Sequence, residues 1–208
     1  MKKTLLILCV LLISVAAFAT PTPKFAIVVY PAIIDSSIEA GDNTPYIVQD
    51  YMNKAICGNA KTTAFSLYKD NPYVKAMIED QVLEESDVEL PFDISNADRI
   101  AEAMNANGYA IATLKSFEQN EKAYRAKLII NVKIYRTKDE YPIFDKDIKG
   151  TYGPMDGYFK KITQAQAFNE CLNDFRFSLR GAVSRINPYK ATPIIPAEEV
   201  ATEETATE

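Results

Sequence analysis

The sequence predicts one α/β (α+β) domain. It has a mixed sheet of four main strands with an antiparallel meander, and a long C-terminal helix packed on one face. Three observations predict it. The run from Lys24 to Ile34 is β-branched and aromatic without a polar break, the composition of a strand buried on both sides. Residues 123–136 alternate apolar and polar with period two, as a strand wet on one face does. Residues 164–186 place Phe168, Cys171, Leu172, Phe175, Leu179, Val183 and Ile186 on one helical stripe.

Taken in order, the first nineteen residues read as a secretory signal peptide of bacterial type. Lys2 and Lys3 precede an apolar run, and Ala17-Phe18-Ala19 puts small residues at the cleavage positions. The run is shorter than the ~20 apolar residues of a spanning helix, so no membrane span is expected after cleavage. The domain then occupies residues 24–187. Beyond the first strand, Thr44-Pro45 opens a helix, with threonine as cap and proline where its missing donor costs nothing. Gly58 follows it as a left-handed stop. Asn71-Pro72 marks another helix start inside a region, 60–92, whose periodicity is otherwise weak. Ser95 and Asp98 form a capping-box-like pair before a helix ended by Asn107-Gly108. A strand from Tyr109 should run parallel to the first, because helices separate them. Residues 123–136 and 141–152 complete the meander. The last 21 residues, 188–208, are rich in Pro, Thr, Ala and Glu and read as a disordered acidic tail.

Composition narrows the chemistry. The chain has no histidine, which removes Ser-His-Asp and Cys-His nucleophile systems. Two cysteines outside the signal cannot complete an ordinary zinc site, so no metal site is expected. No glycine-rich phosphate loop is present, and no cofactor is expected. The formal charge is −5, or −7 once Lys2 and Lys3 are removed with the signal, and five glutamates in the last eleven residues account for most of that. Without a basic excess, nucleic acid is not an expected partner. The acidic run of Glu84, Glu85, Asp87 and Glu89 lacks the ordered spacing and turn glycine of a calcium loop and reads as a solvated face.

Two sets of side chains remain as candidate sites. Cys57 and Cys171, in an oxidising compartment, are a possible disulfide between the first and last helices; two separate buried thiols are the alternative. Tyr135, Tyr141, Phe144 and Tyr152 cluster around the meander turn and are a possible partner surface, cross-strand packing being the plainer explanation. Asp139, Glu140, Asp145 and Asp147, on or beside the same hairpin, supply the carboxylates a glycosidase would need. The interleaved Lys138, Lys146 and Lys149 suit an exposed, charge-alternating strand equally well.

The segment Ala101–Phe117 (AEAMNANGYAIATLKSF), with Lys127–Tyr152 as paired strands and Phe168–Ile186 as closing helix, resembles a known group of envelope domains. These are the amino-terminal part of TolB-type proteins, the curli-secretion lipoprotein and the penicillin-binding-protein activator lipoproteins. The chain has Asn107-Gly108-Tyr109 where that group commonly has a Gly-Ala-Asp-like turn, and it lacks the lipid-bearing cysteine. The resemblance implies the fold and a role in binding other envelope proteins, and it carries no catalytic residue. The expectation is an exported, periplasmic or secreted, non-enzymatic interaction module with an envelope protein as partner. A carboxylate-dependent hydrolase acting on envelope glycan, or a small-ligand carrier, is the alternative.

Overall fold

The computed structural model describes residues 23–91, 93–121, 124–153 and 162–195. The expected signal peptide and residues 196–208 of the expected tail lie outside them. Among the described residues twelve elements follow one another: β1 (Phe25–Val29), β2 (Ile33–Ile34), α1 (Thr44–Cys57), β3 (Thr62–Ser66), α2 (Pro72–Glu79), two 3-10 turns (Glu85–Val88 and Ile94–Asn96), α3 (Ala97–Ala103), β4 (Gly108–Asn120), β5 (Arg125–Arg136), β6 (Phe144–Tyr152) and α4 (Gln164–Ser184). They build one mixed sheet of order β3-β1-β4-β5-β6, with β2 also beside β4. β1 runs parallel to β3 and β4, and β4-β5-β6 is an antiparallel meander with a register shift between Leu114 and Ser116. Among the described residues no helix is long and apolar enough to cross a membrane.

Parallel pairing of β1 with β4, the meander and the long last helix follow the sequence reading. The strand count does not: β2 and β3 take the sheet beyond four. β3 (TTAFS) is five residues long and opens with two threonines, so it shows no apolar alternation. What holds it is tertiary: Thr62 is buried and its hydroxyl donates to the Ile56 carbonyl at 2.7 Å, closing the end of α1. The run 24–34 divides at Pro31, and β2 pairs further along β4, Ile33 opposite Thr113.

The helix ends also need correction. Asn43, not Thr44, is the cap residue of α1, and it makes no side-chain cap. Gly58 is right-handed, with φ −69°, so the stop is not a left-handed glycine. Asp93, not Ser95, caps the turn before α3, accepting from Ser95 N at 2.9 Å. Asp98 instead receives Lys138 N from the β5–β6 turn at 3.0 Å. Asn107 is no helix stop: its Oδ1 accepts from Ala26 N at 2.9 Å, and its own N–H donates to Ala26 O at 2.8 Å, tying β1 to the start of β4. At α4 the reading holds, and Thr163 with Gln166 forms a reciprocal capping box at 3.2 and 3.0 Å.

Apolar side chains fill both faces of the sheet, but unequally. On one face Phe25, Ile27 and Val29 of β1, Ala110, Ala112 and Leu114 of β4, and Leu128, Ile130, Val132 and Ile134 of β5 meet α1 and α4 in one cluster. On the other face Val28, Tyr30, Tyr109 and Ile111 meet α2, α3 and the segment around Leu83 and Val88. Among the described residues this second layer covers only the β3-β1-β4 half. α4 lies very close to β6: a Cβ at Gly150 would stand 2.0 Å from the Cys171 carbonyl oxygen, so only glycine fits there. Packing also continues past residue 187. The Tyr189 ring stands edge-on to Phe25 at 5.1 Å, and Ile194 N donates to Pro142 O at 2.8 Å.

Candidate functional site

The uncovered face of the β4-β5-β6 half is the most developed polar surface of the described residues. Its composition follows from the period-two pleat. With Leu128, Ile130, Val132 and Ile134 turned to α4, the intervening Lys127, Ile129, Asn131, Lys133 and Tyr135 point the other way. Register then sets Asp145 opposite Lys133, Asp147 opposite Asn131, and Lys149 opposite Ile129 on the same face.

These groups form a connected network. Lys115 Nζ donates to both Asp147 oxygens at 2.8 and 3.2 Å. Asn131 Nδ2 donates to Asp145 at 2.9 Å and to Asp147 at 3.0 Å, so one amide bridges the two carboxylates. Lys133 pairs with Asp145 at 3.5 Å. Hydrogen bonds from Lys115 and Asn131 hold the Asp147 carboxyl below the usual carboxylate range. Such an anion stays ionised at neutral pH, the opposite of what a general acid requires. The network is about half exposed and charge-paired.

At its inner border the network meets a line of tyrosines. Tyr135 stacks on Tyr109 with centroids 4.9 Å apart and planes 11° apart, and Tyr109 stands edge-on to Tyr30 at 6.3 Å. Tyr30 is fully buried and its hydroxyl donates to Ala97 O at 3.1 Å. Burial pushes the Tyr30 hydroxyl far up and that of Tyr109 up to about 12, so both remain neutral donors. Half-buried Tyr135 is thus fixed from behind by the second core layer.

The expected aromatic surface is corrected. Phe144 is 2% exposed and belongs to the helix-side core, where Tyr152 also packs. Tyr135 lies on the opposite face, as strand alternation requires, and Tyr141 is half-buried in the turn before β6. The four residues therefore form no single patch. The disulfide is corrected as well: Cys57 and Cys171 are both free. Cys57 is exposed at the end of α1, its thiol directed to Asn53 Oδ1 and Ala64 O, whereas Cys171 is buried under α4. Burial, with the nearby Asp174 charge, pushes the Cys171 thiol up to about 11.

The acidic run of 84–89 is used internally. Asp87 is buried, accepts from Glu84 N at 3.0 Å and pairs with Arg99, while Lys69 pairs with Glu85 at 3.1 Å and Glu89 at 3.8 Å. Asp139 is bound to Arg136 at 2.6 Å. The residues missed as one site are Lys115, Asn131, Lys133, Asp145 and Asp147. Their signal was present as polar alternation in β5 and β6, but the register that joins them is not a local property.

No family model matches the chain, and no curated protein matches it. Among solved structures it is similar to a hypothetical protein of Chlamydia trachomatis, at 10% identity and a TM-score of 0.47, over 78% of this chain and 95% of that one. It is similar to a lipoprotein of Neisseria meningitidis at 7% identity and 0.45, over 89% and 100%. It is also similar to the LpoB C-terminal domain of Salmonella enterica at 12% identity and 0.43, over 68% and 92%.

Proposed function

We propose that the protein is an exported, non-enzymatic interaction module of the bacterial cell envelope, and that it meets its protein partner through the uncovered face of β4-β5-β6. The observation that carries this reading is a half-sheet sealed by helices on one face and left open on the other. The open face bears a preordered network of Lys115, Asn131, Lys133, Asp145 and Asp147 beside the Tyr109–Tyr135 stack. Paired charges give register and specificity more than affinity, and a rigid tyrosine supplies contact area at low entropic cost. The leader sequence supports export. The carboxylate-hydrolase alternative has less behind it, because hydrogen bonds from Lys115 and Asn131 hold Asp147 ionised.

The test is affinity capture from a periplasmic extract with wild type, Tyr135→Ala and Asp145→Lys. A protein retained by wild type and lost with both variants, at unchanged melting temperature, supports the reading. Equal retention by all three contradicts it.

A further inference from the structure

A second concave feature lies away from the open face, outside the carboxyl ends of the parallel strands β1 and β3 and against the first turns of α1. The cavity measures about 580 Å³ and is lined by Tyr46, Gln49 and Asp50 of α1, by Ser66 at the end of β3, and by Tyr68 and Asp70 after it. Gln49 sets it apart. It is 1% exposed, and its Nε2 donates to Val29 O at 2.7 Å and to Leu67 O at 2.9 Å. Both donors of the amide are thereby committed to the ends of β1 and β3. Its Oε1, fixed in orientation by those bonds, has no donor among the described residues, and the residue faces the cavity. Nor is the oxygen sealed off, since no fully occluded side-chain polar atom lacks a partner. A buried acceptor left open in this way calls for a donor from a ligand or from water.

The surroundings define what kind of donor. Asp50 is paired with Lys54 at 2.5 Å, Asp70 with Lys75 at 3.0 Å, and Lys69 with Glu85 at 3.1 Å. Among the described lining residues the one cation, Lys69, is already paired, and both carboxylates are paired with lysines, so the crevice offers no net charge to an anion. An ammonium ligand would have to displace a lysine already in place. What fits is a neutral molecule with hydroxyl donors and a carbon face for Tyr46 and Tyr68, both half-buried. We infer that this crevice is a binding site for a neutral saccharide unit, one hydroxyl donating to Gln49 Oε1.

The test is an amide correlation spectrum of the folded protein titrated with glucose, N-acetylglucosamine and maltose at millimolar concentration, with inorganic phosphate as the anionic probe. The inference expects saturating shifts in both 43–50 and 66–70 with at least one of the sugars, none there with phosphate, and their loss in Tyr46→Ala/Tyr68→Ala. That double variant leaves the Gln49 bonds intact, whereas Gln49→Leu takes a donor from the Leu67 carbonyl while Val29 O keeps its bond from Leu67 N, so loss of the sugar shifts in Gln49→Leu as well is expected. No sugar-induced shift in these segments, shifts that persist in the double variant, or a response to phosphate instead would overturn the inference. Affinity capture on the open face has no bearing on these outcomes.

Discussion

The two halves of the sheet solve burial differently. In the β3-β1-β4 half, helices lie on both faces, and β1 turns Phe25, Ile27 and Val29 to one core and Val28 and Tyr30 to the other. In the β4-β5-β6 half, one core under α4 does all the burying, and the second face is polar. A strand covered on both faces has no side free to meet a partner, and the proposed contact face lies where the second layer stops. β4 belongs to both halves: Tyr109 and Ile111 sit under the second layer, and Lys115, further along, carries the open network.

The largest expected effects test the half that depends on a single core. Phe144→Ala removes a fully buried ring from under α4 and should cost about 3–5 kcal/mol in urea unfolding. A cost below about 1 kcal/mol would mean that β6 is not sealed by the helix. Gly150→Val should destabilise at or above the upper end of the ~1–3 kcal/mol range for overpacking, because the clash is with backbone. Gly41→Ala, where a Cβ meets nothing within 4 Å, is the matched control and should be near neutral.

How much of this contrast is legible in the sequence depends on the element. β5 and α4 announce their buried faces by period, since each has one dry side. β1 reads as a strand because both sides are apolar, but Pro31 hides that the run is two strands. β3 and the turns around Leu83 and Val88 are held by distant partners, such as the Thr62 bond to Ile56, which no local pattern encodes. For the site, alternation foretold which residues of β5 face outward. It could not tell that Phe144 and Tyr135 take opposite faces, because that depends on the register across the hairpin.

On the open face, substitutions should barely move stability. Lys115→Ala removes the bidentate contact to Asp147, yet both groups are about half exposed, so a loss of under ~1 kcal/mol is expected. A drop of several kcal/mol would make the network a structural element and weaken its reading as a contact surface. The smallest effect concerns the thiols, which should leave stability unchanged. In native protein at pH 8, Cys57 should be alkylated quickly, and Cys171, buried and with its thiol pushed up to about 11, only on unfolding. Equal, fast labelling of both would show that the α4 face opens readily.

Amine footprinting decides whether the uncovered half-sheet is the contact face proposed above. Lysines are acetylated with and without periplasmic extract, and protection is read residue by residue. Protection of Lys115, Lys127, Lys133 and Lys149 is expected, with Lys54, Lys69 and Lys75 of the other half unchanged. Protection confined to Lys54, Lys69 and Lys75, or spread evenly over both groups, would contradict it.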